Sequence, residues 1–274
     1  MTRRPARGYG GGGGMGGIGL PRPTPVVLRL MIVIGAIWLV NAFLVNFLDN
    51  RALAHLISEW LWVSPDNVTD RYALWTPFTY MWLHASFSHV AFNLLGLYFL
   101  GPILEGRWGG RTFLKFFILS GVIGGVFTVL AGLLVPAWFS APVLGASGSI
   151  LAIIAAYSIL LPQSEILLMF VLPVKGRWLI WISLGIDLAM FLASSPGDGG
   201  VAVQTHLGGA LGGWLLITGN WRPAVAWGRF RLWTKKKLGG GGKKPPKGGG
   251  RGGWRNPNDF RVIRGGRDDD DLLH

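Results

Sequence analysis

The stretch that decides the fold is Gly145-Ala146-Ser147-Gly148-Ser149-Ile150-Leu151-Ala152-Ile153-Ile154-Ala155-Ala156-Tyr157-Ser158-Ile159-Leu160-Leu161. It carries no charge and has no polar stripe that could face water. An apolar run of this kind, hydrophobic all round, belongs inside a bundle or a membrane. From Ser147 to Leu161 it makes a helix of about 23 Å at 1.5 Å per residue, against roughly 30 Å of bilayer hydrocarbon. Its N-terminus, which bears Ser147, is therefore expected to stop several ångströms below the surface. A helix end at that depth is tolerable only in a wet, protein-lined cavity.

Working outward, five more apolar blocks accompany this one. The set runs Val26–Leu48, Ser88–Leu104, Thr112–Val135, Ser147–Leu161, Trp178–Ala193 and Ala202–Gly219. Half of the 274 residues are hydrophobic and only 14% are charged, whereas soluble domains carry about 25% charged residues. Helices are the one open-chain way to satisfy backbone polar groups in lipid. The expected fold class is thus an all-α, polytopic membrane bundle of six transmembrane helices. Ile166–Val174 is a seventh apolar run, too short to span, and Pro173 argues against a helix there. It is expected to be interfacial or re-entrant. The first block is too long for a secretory signal core and reads as a retained span. Three segments follow: a Gly/Arg-rich tail over 1–25, the membrane domain over 26–219, and a basic Gly-rich tail over 220–274. Both tails lack the apolar residues to bury a core and are expected to be disordered. Cysteine is absent, which excludes disulfides and thiol catalysis.

The net charge of +13 is distributed unevenly. Arg3, Arg4, Arg7 and Arg22 precede the first block; Arg107, Arg111 and Lys115 follow the second; Lys175 and Arg177 follow the fourth. Arg222, Arg229, Arg231 and Lys235–Lys237 follow the sixth. In the alternate connections, Arg51 and Arg71 are outnumbered by Asp49, Glu59, Asp66 and Asp70, Pro136–Ala146 has no charge, and Ser194–Val201 has only Asp198. The positive-inside rule then places both termini in the cytoplasm, with the cell (inner) membrane as the expected location.

On that topology His89 and Asn93, Ser147 and His206 all fall in the outer half of the membrane, on the three blocks that run inward. Ionisable groups at that depth mark function by default. Ser147 sits at a helix N-terminus between Gly145 and Gly148, where free N–H groups and the dipole favour a developing oxyanion. Taken alone, this string fits a packing turn at least as well. His206 shares one helix face with Gly209 and Gly213, a smooth strip that lets another helix come close. The bland alternative is a packing helix whose histidine bonds a carbonyl. Ser147 and His206 together would form a nucleophile and general base. His89 and Asn93, four apart on one face, both donate hydrogen bonds, which suits an oxyanion hole or simply interhelical bonding. Asp187, in the outer half of the fifth block, is expected at the cavity rim and outside the chemistry. His55 and His84 are given no role.

Four motifs together resemble the rhomboid proteases: His89-Val-Ala-Phe-Asn93, Gly145-Ala-Ser147-Gly148, Gly101-Pro-Ile-Leu-Glu105-Gly-Arg107-Trp-Gly109 and His206-Leu-Gly-Gly209-Ala-Leu-Gly-Gly213. The resemblance covers about Leu28 to Gly219. It implies a serine endopeptidase in which Ser147 is acylated, His206 acts as base and acid, and His89 and Asn93 hold the oxyanion. Glu105 and Arg107 would brace the cytoplasmic turn. It implies single-span membrane proteins as substrates, membrane lipid as surroundings and no metal or organic cofactor. Two positions depart from the family pattern: Thr205 stands where Ala is usual, and Leu151 where many members stack an aromatic on the imidazole. The Trp- and Tyr-rich segment between the first two blocks reads as an interfacial belt. By resemblance it would also shape substrate access.

The basic C-terminal run fits an anionic lipid surface better than RNA, despite Gly250-Arg251-Gly252-Gly253, and no nucleic acid partner is expected. The rival readings are an inactive rhomboid-like protein that binds membrane clients, and a small transporter. The transporter would need paired interrupted helices or charged pore residues, and the blocks offer little beyond Asp187.

Overall fold

The computed structural model describes residues 22–168, 172–196 and 202–219. The two tails, except for 22–25, lie outside the described residues. Among the described residues ten helices and two paired strands follow in order: α1 (Pro25–Asn46), α2 (Arg51–Glu59), α3 (Pro65–Thr69), α4 (Thr76–Thr79), α5 (Phe87–Trp108), α6 (Gly110–Leu134), α7 (Pro136–Phe139), α8 (Ser147–Leu160), β1 (Glu165–Leu168), β2 (Leu172–Lys175), α9 (Gly176–Leu192) and α10 (Val203–Thr218). A single 3₁₀ turn, Tyr80–Trp82, follows α4. Each of the six apolar blocks is a helix. By length and apolarity α1, α5 and α6 can cross a membrane, while α8 is apolar but shorter.

Local chemistry sets the ends. Pro25, Pro65 and Pro136 open α1, α3 and α7, where a missing N–H costs nothing. Asn50, Ser64 and Ser86 cap α2, α3 and α5 by accepting from Leu53, Asn67 and His89 N–H. The start of α1 is capped from another helix: buried Glu105 of α5 accepts from Val26 N–H at 3.1 Å, Val27 N–H at 2.9 Å and the Thr24 hydroxyl. A carboxylate there answers both the orphan donors and the dipole of α1. Glu105, expected to brace the turn after α5, thus makes its contacts with the start of α1.

The core centres on α8, which buries ten of its fourteen residues against neighbouring helices. Small residues let those helices approach. A methyl group at Gly213 would lie 2.8 Å from Ala152 Cα, and one at Gly209 would run into the Gly148 carbonyl. Ser149 ties α8 to α6 by donating to Phe117 O at 2.8 Å.

The aromatic segment between α1 and α5, expected as an interfacial belt, is a folded layer. Buried Asn67 donates to Glu59 O and Trp62 O, Trp75 Nε1 donates to Trp60 O at 2.9 Å, and Arg71 pairs with Glu59 beneath the Trp60 ring. Leu74 and Tyr72 remain strongly exposed on it. The seventh apolar run also takes a definite form. Its ends are β1 and β2, paired antiparallel from Glu165–Lys175 to Leu168–Leu172. A run of nine residues with Pro173 near its end is poorly suited to a helix, and strand pairing satisfies the backbone of its two ends.

Candidate active site

Ser147 is the first residue of α8, and three separate contacts fix the turn before it. Val143 forms an antiparallel bridge with Val63, by N–H···O bonds of 2.8 and 3.0 Å. Gly145 N–H donates to Tyr80 O at 2.9 Å. Ala146 N–H lies 3.4 Å from His84 Nε2. Gly145 has φ +122°, which L side chains rarely adopt, and any Cβ there would meet the His89 ring. The glycine is thus required twice, by conformation and by space. No side chain caps α8, so the N–H groups at its start are left as donors beside the serine. Ser147 itself is half-buried.

The contact of Gly209 on Gly148 brings α10 against this turn. His206 lies one turn above Gly209, on the same face of α10, and is half-buried. Neighbouring Thr205 is fully buried against Gly148, and its hydroxyl shares a hydrogen bond with the Thr128 hydroxyl of α6. Thr128 in turn reaches Gly124 O at 3.0 Å. The extra polarity of Thr205, a departure from the family pattern, therefore has a partner on α6.

The His89 ring of α5 lies directly over Gly145, two residues before the serine. Asn93 is buried and donates one amide hydrogen to His89 O at 2.8 Å. Its second amide hydrogen stays available, while its Oδ1 has no hydrogen-bond partner among the described residues. Leu151 is buried one turn below Ser147.

Two residues set aside by the sequence reading belong to this cluster. Asp187, expected at the rim, is 7% exposed, and its Oδ2 lies 2.9 Å from His206 Nδ1. The pairing was not legible in the sequence because it joins residues on different helices, nineteen positions apart. The available signal was position: Asp187 lies near the C-terminal end of α9 and His206 near the N-terminal end of α10. His84, given no role, is buried beside the Ser147 turn, with its ring 5.0 Å from that of His89. Burial pushes its imidazole down to about 4, with His89 adding to the shift and the Trp82 backbone opposing it. His55 is exposed and pairs loosely with Glu59 at 3.8 Å.

A cavity of about 330 Å³ opens between α1 and α2 and ends at His84, Ala85 and Leu144. Ser147 and His206 are not among its lining residues, so it approaches the serine turn without containing the serine.

Comparison with known proteins follows the same residues. The Rhomboid domain model matches residues 71–222. The chain is 28% identical over 170 residues to "RHOMBOID-like protein 12, mitochondrial" of Arabidopsis thaliana, covering 58% of this chain and 47% of that protein. It is 30% identical over 131 residues to "Rhomboid protein 1, mitochondrial" of Saccharomyces cerevisiae, covering 47% and 37%. It is 33% identical over 63 residues to "Inactive RHOMBOID-like protein 8" of Arabidopsis thaliana, covering 23% and 18%. The matches thus span less than half the length of these relatives.

Proposed function

The chain belongs to the rhomboid family, and from that premise we propose that it is an intramembrane serine endopeptidase with Ser147 as nucleophile and His206 as base. It is a membrane protein. In this reading six helices span the bilayer, both termini are cytoplasmic, and α5, α8 and α10 descend from the outer face. Its membrane is the cell (inner) membrane, although two similar proteins carry mitochondrial names.

The supporting observation is the approach of α8 and α10 through Gly148 and Gly209, which makes neighbours of the serine turn and the histidine. Ser147 Oγ attacks the scissile carbonyl carbon and gives its proton to His206 Nε2. The oxyanion is met by the Ser147 N–H, His89 and the spare Asn93 amide hydrogen. Collapse expels the amine, which takes the proton from His206, and leaves an acyl ester on Ser147. Water then attacks the ester, passes its proton to His206, and frees the acid and the serine. Hydroxyl, imidazole and water suffice for this sequence. Substrates are single-span proteins cut near the outer edge of their helices, where small or helix-breaking residues let the chain unwind.

A second reading, an inactive client-binding protein, draws on the similarity to a relative named inactive. A fluorophosphonate probe separates the two. The detergent-solubilised wild type is expected to label and Ser147→Ala is not; equal labelling of both removes Ser147 from the nucleophile role.

A further inference from the structure

Asp187 carries an observation that the two-residue mechanism does not use. Its carboxylate is buried, and its one hydrogen-bond partner among the described residues is His206 Nδ1, at 2.9 Å. Both side chains are largely enclosed, with 10% and 13% of their surface exposed.

Packing alone gives no reason for a carboxylate here. An aspartate within a membrane helix is costly to insert. Replacing a buried ion pair by apolar residues of similar size is often neutral or stabilising. A purely structural helix contact would therefore be served as well by Asn, Ser or Leu. The atom that Asp187 chooses is also informative. An ionised carboxylate only accepts hydrogen bonds, so it requires the hydrogen on Nδ1 and leaves the lone pair on Nε2. That is the nitrogen which must take the Ser147 proton. The same carboxylate then faces the imidazolium that forms, and opposes its charge at close range in a site of low dielectric.

Resting on the Ser147–His206 reading, we infer that Asp187 is a positioning residue: it holds His206 in the Nδ1–H tautomer and stabilises the imidazolium formed as Ser147 is acylated. No proton moves to Asp187. The Nδ1 hydrogen stays shared along the 2.9 Å contact while the serine proton travels to Nε2 and on to the leaving amine.

The test measures fluorophosphonate inactivation at several probe concentrations, which separates the limiting rate from apparent binding. Asp187→Asn and Asp187→Ala are each expected to lower the limiting rate by about 10²–10⁴-fold, with apparent binding within a factor of about 3. Asp187→Asn keeps a side chain of the same size that can still accept a hydrogen bond, so its thermal midpoint in detergent should be held, and its lost rate is then not a lost fold. A limiting rate near that of wild type in either variant overturns the inference. The wild-type protein supplies an independent readout. With ¹⁵N-labelled histidine, the His206 signal, found by difference from His206→Ala, should report hydrogen on Nδ1; hydrogen on Nε2 overturns the inference whatever the variants do. Loss of labelling in Ser147→Ala together with full rates in both Asp187 variants sinks the positioning role and leaves the nucleophile in place. Equal labelling of wild type and Ser147→Ala sinks both.

Discussion

At the scale of single residues, the site is built from side chains whose neighbours decide their chemistry. His84 is the simplest case, because its environment favours one protonation state. In the folded protein its imidazole stays neutral down to about pH 4, whereas in the unfolded chain it protonates near 6.5. Below 6.5 the unfolded state binds more protons, so stability falls as the pH falls through 6.5 toward 4. The full shift corresponds to about 3 kcal/mol. Unfolding midpoints in detergent should therefore drop between pH 7 and pH 4.5, and His84→Gln should flatten that slope; an unchanged slope would show that His84 is not the group responsible. Sequence reading proposed Ser147, His206, His89 and Asn93 from glycine spacing and expected membrane depth. It passed over His84 and Asp187 because their meaning lies in partners on other elements, Ala146 and His206. The same holds for Thr205, an oddity as a motif residue but half of a hydrogen-bonded pair with Thr128.

Between elements, glycine serves mainly to bring backbones together. The α8–α10 contact is a backbone-to-backbone approach, with Gly209 on the Gly148 carbonyl and Gly213 on Ala152. A flexible side chain could yield to an added methyl group, but a carbonyl in a helix cannot without moving the helix. Gly209→Ala is expected to cost about 1–3 kcal/mol through overpacking. It should also slow probe labelling of Ser147 by about 100-fold, since a shift near 1 Å between nucleophile and base is costly. Near wild-type labelling in this variant would show that the two helices can part without harm. Gly185 and Gly106 have nothing near them that a methyl group would meet, so alanine there is the matching control. These elements were legible because each apolar block is long, and the observed helices begin and end within a few residues of the blocks, apart from a longer C-terminal end of α5. The hairpin β1–β2 was legible only as something other than a span. Apolarity and one proline do not distinguish a re-entrant loop from two paired strands.

For the whole molecule, the proposed orientation rests on where Lys and Arg fall, and the chain has a convenient property for testing it: no cysteine. Introduced singly, Ser140→Cys should react with an impermeant maleimide added outside intact cells. Arg111→Cys should react only after permeabilisation, and the reverse pattern would invert the topology. The order inside the 49–86 segment could not be read from its sequence, since tryptophans at a membrane surface look alike whether loose or folded. That segment has a wider consequence. The shape of the Ser147 turn is held by Val63, Tyr80 and His84, residues 62 to 80 positions away in the chain. The turn can lose its geometry while every bond around the serine is intact and every long helix still stands. Gentle warming that loosens this segment would then leave a protein that looks native by its helical signal yet no longer takes up the serine probe.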